Sequence, residues 1–131
     1  MVQKNLGDFD EAVTLLKEQE QICREMGNSE GIATALGNRA IVQSERGDLE
    51  GALALFEEQE QVCRETDNID FLLESLEVQA KILVSSCDPD GAMARLTEME
   101  QICRERGDPD GVARSRRLQA KILRESGEKS A

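Results

Sequence analysis

EQEQICRE at residues 18–25 returns as EQEQVCRE at 58–65, and MEQICRE stands at 99–105, each copy 40 residues after the last. A cysteine recurring at a fixed interval beside an arginine is compatible with three chemistries: a metal ligand, a redox centre, or a small apolar side chain in a packed helix. Extending the 40-residue register outward aligns Gly7, Gly47, Cys87 and Gly127, then Asp8, Asp48 and Asp88. It also aligns Ala12, Ala52 and Ala92, and Ala40, Ala80 and Ala120. A period of this length is the signature of stacked supersecondary units, each burying its apolar face on its neighbour.

Within a unit the apolar spacing is helical. Ala52, Phe56, Gln59 and Cys63 fall at i, i+4, i+7 and i+11, as do Ala12, Leu16, Gln19, Cys23 and Ala92, Leu96, Met99, Cys103. The other half of the unit carries a second stripe, Ile32, Leu36, Ala40, Gln43, repeated as Leu72, Leu76, Ala80, Leu83. Asp8 with Glu11 resembles a capping box, Asp88 and Asp108 each precede a proline, and Gly27, Gly47 and Gly107 stand where helices should stop. The Asp-Gly pairs at 90–91 and 110–111 suggest hairpins in isolation, but the period places them in first helical turns. The pattern predicts an all-α fold, a right-handed αα-hairpin solenoid of six antiparallel helices near 8–26, 30–46, 49–66, 70–86, 89–106 and 109–126. The units are a half unit at 1–28, full units at 29–68 and 69–108, and a terminal capping helix at 109–131.

Composition agrees. Aromatic residues make up 2% of the 131 residues and histidine is absent, so the core must come from Leu, Ile, Val, Ala, Met and Cys. The net charge of −11 argues against nucleic acid as a partner, since that binding depends on neutralising phosphates. The acidity is uneven: residues 109–131 hold six Lys/Arg against three Asp/Glu, while 1–108 hold 10 against 24. No apolar run approaches the roughly 20 residues of a membrane span, and the N-terminus lacks a signal-peptide core. A cytoplasmic protein with reduced thiols is expected, without membrane association.

The residues quoted above resemble a tetratricopeptide repeat array: Ala40, Ala80 and Ala120 in the first helix of each pair, Gly47 and Gly127 with Asp48 at the turn, Ala12, Ala52 and Ala92 early in the second, then Leu16, Phe56 and Leu96. The 40-residue units are similar to those of the LGN/Pins regulators and kinesin light chains. Departures fall at Arg116, where Leu36 and Leu76 stand in earlier copies, at Gln43, Leu83 and Leu123, where the family often has an aromatic residue, and at Gln19 and Gln59, where it has alanine. The pattern begins with a second-of-pair helix, so the surface around Leu15 and Leu16 is expected to be covered by another chain or by further repeats.

Neighbouring helix axes lie about 8–10 Å apart, so equivalent cysteines in successive units are expected roughly 15–20 Å apart. That separation excludes a disulfide and a shared zinc ion. Cys23, Cys63 and Cys103 therefore read as packing residues, and Cys87, at a turn, as the exposed thiol. Acidic groups such as Glu57, Glu58 and Glu60 read as a solvated face. No catalytic residue, metal site or cofactor is expected.

The resemblance implies a concave surface lined by first helices. It selects Thr34, Gly37, Asn38 and Ile41, then Glu74, Glu77 and Lys81, then Arg114, Arg117 and Lys121, with Arg124 extending the row. Asn38, Ile41, Glu77, Lys81, Arg114, Arg117 and Lys121 are the candidate peptide-binding residues. Forked guanidinium groups suit an acidic or C-terminal peptide; the competing reading is a terminal helix charged for solubility. The expected function is a non-enzymatic adaptor holding a segment of a partner protein. The alternative is a self-associating module, a homodimer through the uncovered first helix.

Overall fold

The computed structural model describes the backbone over residues 6–130 and side chains over 8–127. Six helices follow one another: α1 (Leu6–Met26), α2 (Ser29–Glu45), α3 (Leu49–Glu65), α4 (Ile69–Ser85), α5 (Pro89–Glu105) and α6 (Pro109–Ser130). No strand occurs among the described residues. The predicted all-α helical repeat is present, with each interhelical boundary within about a residue of its predicted place.

The five connections share one design. Gly27, Gly47, Asp67, Cys87 and Gly107 have φ of 68°, 85°, 55°, 64° and 68°, in the left-handed region. The N–H of the next residue then reaches back to the helix just ended: Asn28 to the Cys23 carbonyl (2.8 Å), Asp48 to Gln43 (2.9 Å), Asn68 to Cys63 (2.9 Å), Asp88 to Leu83 (2.8 Å) and Asp108 to Cys103 (2.9 Å). The side chain of that same residue starts the next helix. Asn28, Asp48, Asp88 and Asp108 accept from the N–H groups of Gly31, Gly51, Gly91 and Gly111 at 2.9–3.1 Å, and Asn68 accepts from Phe71 at 3.3 Å. The connections therefore recur every 20 residues, half the sequence period.

Two expected boundaries differ. Gly127 lies inside α6, which continues to Ser130, whereas at the other connections an Asn or Asp follows the left-handed residue. Asp8 sits in the first turn of α1 rather than before it, where its carboxylate suits the helix dipole.

Contacts divide the chain into two compact units, Met1–Ser75 and Leu76–Ala131, with the division inside α4. In the first unit Cys23, Ile32 and Leu36 form a buried cluster against which Leu55 and Val62 pack. The buried residues of α3 are Ala52, Phe56, Gln59 and Cys63, the predicted stripe. On α1 only Cys23 of its stripe is buried; Ala12 and Leu16 are half-buried and Gln19 is exposed. In the second unit Ala92, Leu96, Met99 and Cys103 form the buried face of α5, with Leu76, Ala80, Leu83 and Ile122 also buried.

Buried polar groups act as register pins. The Ser75 hydroxyl donates to the Phe56 carbonyl (3.0 Å), and Ser115, 40 residues on, donates to Leu96 (2.6 Å). Gln59 donates to the Ala33 carbonyl at 2.8 Å. This bond needs Gly37: a Cβ there would stand 2.6 Å from Gln59 Nε2. The glutamine that departs from the family's alanine is thus matched by a glycine on the facing helix. Gly37 is buried and does not line an open surface, contrary to its place in the expected concave column.

Two stability tests follow from these contacts. Cys87 holds a left-handed conformation that costs an L-residue about 1–2 kcal/mol, so Cys87→Gly should raise unfolding free energy by about 0.5–1 kcal/mol in urea titrations once the freer unfolded chain is counted. Gly47→Ala should lower it; equal effects of both would remove the turn argument. Gly37→Ala should destabilise the parent, because a displaced buried amide costs about 1–3 kcal/mol. In a Gln59→Ala background it should instead stabilise by about 1 kcal/mol, the helix propensity of alanine over glycine. The same sign in both backgrounds would dissociate Gly37 from Gln59.

Candidate functional site

The recurring EQICRE stretch holds three of the four cysteines, Cys23, Cys63 and Cys103. In each copy glutamate and arginine four residues apart pair on the helix surface: Glu20–Arg24 at 2.9 Å, Glu60–Arg64 at 2.7 Å and Glu100–Arg104 at 2.9 Å. The glutamine beside them bonds the last glutamate, Gln21 to Glu25, Gln61 to Glu65 and Gln101 to Glu105, at 3.1–3.2 Å. The oriented carboxylates then tie helices together. Glu20 accepts from Arg39 of α2 at 2.7 Å, and Glu100 accepts from Gln119 of α6 at 2.9 Å. That hydrogen bond from Gln119, joined by Arg104 and Arg116, holds the Glu100 carboxyl below its ordinary value.

Cys23, Cys63 and Cys103 are buried and Cys87 is exposed, as expected. Burial raises the Cys63 thiol, assisted by the Glu60 and Glu74 carboxylates, and burial raises Cys103. A thiol held protonated is a poor nucleophile and a poor metal ligand. Among the described residues no group of three or more Cys, Asp or Glu is placed to hold a metal ion. The motif is architectural: sulfur inside, a paired carboxylate at the helix junction.

The feature with chemical character lies in the second unit. A cavity of about 750 Å³ is lined by Glu77, Lys81, Arg114, Arg117, Leu118, Ala120, Lys121 and Arg124. Five of these eight side chains are cationic and one is acidic. The 40-residue register accounts for the convergence, since it sets Lys81 and Lys121 at equivalent places on α4 and α6.

The cations are not equivalent. Glu77 is 9% exposed, and Arg114 grips it with two bonds, Nε to Oε1 at 2.6 Å and Nη2 to Oε2 at 2.7 Å. Lys81 lies 3.2 Å from the same carboxylate. The Arg114 bonds, with Lys81 behind them, outweigh desolvation and hold Glu77 below its ordinary value. Arg117, Lys121 and Arg124 have no carboxylate partner among the described residues. One carboxylate thus fixes two cations, and three more remain open to solvent.

Beside this cavity, and sharing Glu77, Lys81, Leu118 and Lys121 with it, lies a smaller one of about 250 Å³ walled by Ala80, Val84, Leu96 and Ile122, with Glu125 also lining it. Sequence reasoning did not identify this apolar floor. The available signal was Leu118 and Ile122, four residues apart and next to the basic row.

Glu77, Lys81, Arg114, Arg117 and Lys121 are therefore brought together. Asn38 and Ile41 lie on α2 in the first unit, both exposed, Ile41 at 49%. Thr34, half-buried, donates its hydroxyl to the Glu30 carbonyl of its own helix at 2.9 Å. Sequence reasoning treated Arg114 as an open ligand-binding group, whereas its guanidinium is committed to Glu77.

The Glu77 pair gives a pH test. Its carboxyl is held below its ordinary 4.5 in the folded state, so its contribution is present above that pH and lost as pH falls through the folded value. Glu77→Gln should cost about 1–2 kcal/mol at neutral pH. The difference from wild type should shrink as urea titrations are carried from pH 5 toward pH 3. A difference independent of pH over that window would show that the pair contributes nothing to folding.

The comparisons with known proteins can be set beside this geometry. The sequence matches no curated protein. The family model described as tetratricopeptide repeat matches residues 1–65, which span α1, α2 and α3. The 40-residue register continues from there through α4, α5 and α6. Tetratricopeptide repeats generally mediate protein–protein interactions, and the family is non-enzymatic. No described helix is long and apolar enough to cross a membrane. The repeated helical hairpins, their shared turns and the family match lead to one conclusion: the chain belongs to the tetratricopeptide repeat family.

Proposed function

We propose that the protein is a non-enzymatic adaptor whose second unit binds an acidic segment of a partner protein in the cavity between α4 and α6. One observation carries this reading: Arg117, Lys121 and Arg124 stand without carboxylate partners among the described residues around a concavity, in a chain of net charge −11. A helix charged for solubility alone needs no concave setting and no buried anion beneath it. Here Glu77 positions Arg114 and Lys81, so the rim is ordered before a ligand arrives, which lowers the entropic cost of binding. The open cations supply charge-assisted hydrogen bonds to carboxylates, bidentate from the two arginines.

Arg117 and Lys121 are the groups to reverse, because Arg114 is already bonded to Glu77. Against fluorescent acidic peptides with free C-termini, wild type should bind, and Arg117→Glu with Lys121→Glu should weaken binding at least tenfold, about 1.4 kcal/mol, with helical content unchanged by circular dichroism. Lys17→Glu, on α1, should bind as wild type does. Equal binding by the doubly reversed protein would return α6 to the role of a solubility cap.

A further inference from the structure

The chain carries an acidic segment of its own that matches this cavity. Leu15, Ile22 and Met26 are 60%, 55% and 74% exposed, and they lie on one stripe of α1. Beside that stripe run Glu11, Glu18 and Glu25, all exposed and seven residues apart. Seven residues span about 10.5 Å of helix. On α6 the open cations Arg117 and Arg124 have the same spacing, with Lys121 between them, and beside them Leu118 and Ile122 wall the smaller cavity, which Glu125 also lines. An acidic column edged by aliphatic side chains thus matches in pitch a basic column edged by a largely apolar recess. Charges flanking an apolar seam at this spacing select partners in paired helices.

Net charge is divided the same way. The unit Met1–Ser75 holds six Lys/Arg and 17 Asp/Glu, while Leu76–Ala131 holds ten of each. The whole excess negative charge belongs to the unit that contains α1, and two copies are steered together most favourably when the first unit of one meets the second unit of the other.

We infer that α1 of one copy docks into the α4–α6 cavity of a second, so that the protein assembles head to tail. The inference rests on the reading of that cavity as a receptor for acidic segments. It replaces the expected two-fold dimer through α1 with a heterologous contact, because like-charged α1 columns repel across a symmetry axis. Each added copy still offers one α1 and one cavity, so growth continues past the dimer. Partner peptides would then compete with self-assembly for the same cations.

The test uses two full-length variants with helical content verified by circular dichroism. Leu15→Ser with Ile22→Ser removes the α1 stripe; Arg117→Glu with Arg124→Glu reverses the cavity. By light scattering over a dilution series at low ionic strength, wild type should grow beyond a dimer and each variant should remain monomeric. Mixed in equal amounts, they should form a 1:1 heterodimer that grows no further, since the first retains its cavity and the second its α1. Monomeric wild type at every concentration would overturn the inference, as would persistent dimers of the cavity variant or a mixture that stays monomeric. If wild type stays monomeric while the α1 variant binds acidic peptides, only the head-to-tail contact fails. If no peptide binds either, the receptor reading fails as well.

Discussion

The structure depends on one residue type doing two jobs at each connection. At positions 28, 48, 68, 88 and 108 an Asn or Asp closes the preceding helix through its backbone N–H and opens the next through its side chain. Both ends of a helix leave backbone groups without intrahelical partners, and here two such sets are satisfied within three residues. The left-handed residue before it sets the chain direction. Where that residue is Asp67 or Cys87 instead of glycine the hydrogen bonds persist, so the turn holds the left-handed conformation without the residue that adopts it most readily.

This constraint explains how much of the fold was legible. Repeated caps and stripes fixed six helices and their boundaries closely, because a short polar cap and a 3.6-residue apolar rhythm are local signals. The buried residues of α3 and α5 were readable individually, down to Gln59 and Met99. Pairwise compensation was not. That Gln59 bonds Ala33 over Gly37 depends on residues more than 20 positions apart meeting at a helix crossing, and nothing local announces it. The same holds for Ser75 and Ser115, whose hydroxyls settle on carbonyls 19 residues upstream.

The site was legible as a column but not as an electrostatic arrangement. Helical spacing selected Arg114, Arg117 and Lys121 and aligned them with Lys81, yet it could not distinguish a cation that is used from one that is open. That distinction is tertiary: Arg114 reaches Glu77 across 37 residues, and only the folded geometry shows it. The recurring cysteine was the opposite case. It looked like chemistry, but its depth in all three copies, with the glutamate–arginine pair beside it and the thiols of Cys63 and Cys103 raised by burial, makes it part of the helix junction.

Glu77 is where folding and recognition meet. Removing an acid from a cationic cavity would raise its positive potential, so a cavity optimised only for attracting anions would have no use for one. Five cations on two helices repel one another, and a nearly buried anion bonded to two of them lowers that repulsion while fixing where those two stand. On the proposed reading, attraction for a ligand falls to the three cations left over, which are exposed and bonded to no carboxylate among the described residues. The proposed division of labour follows from the geometry: the paired groups hold one another in place, and a cation already bonded to Glu77 has less to offer a ligand than one that is open.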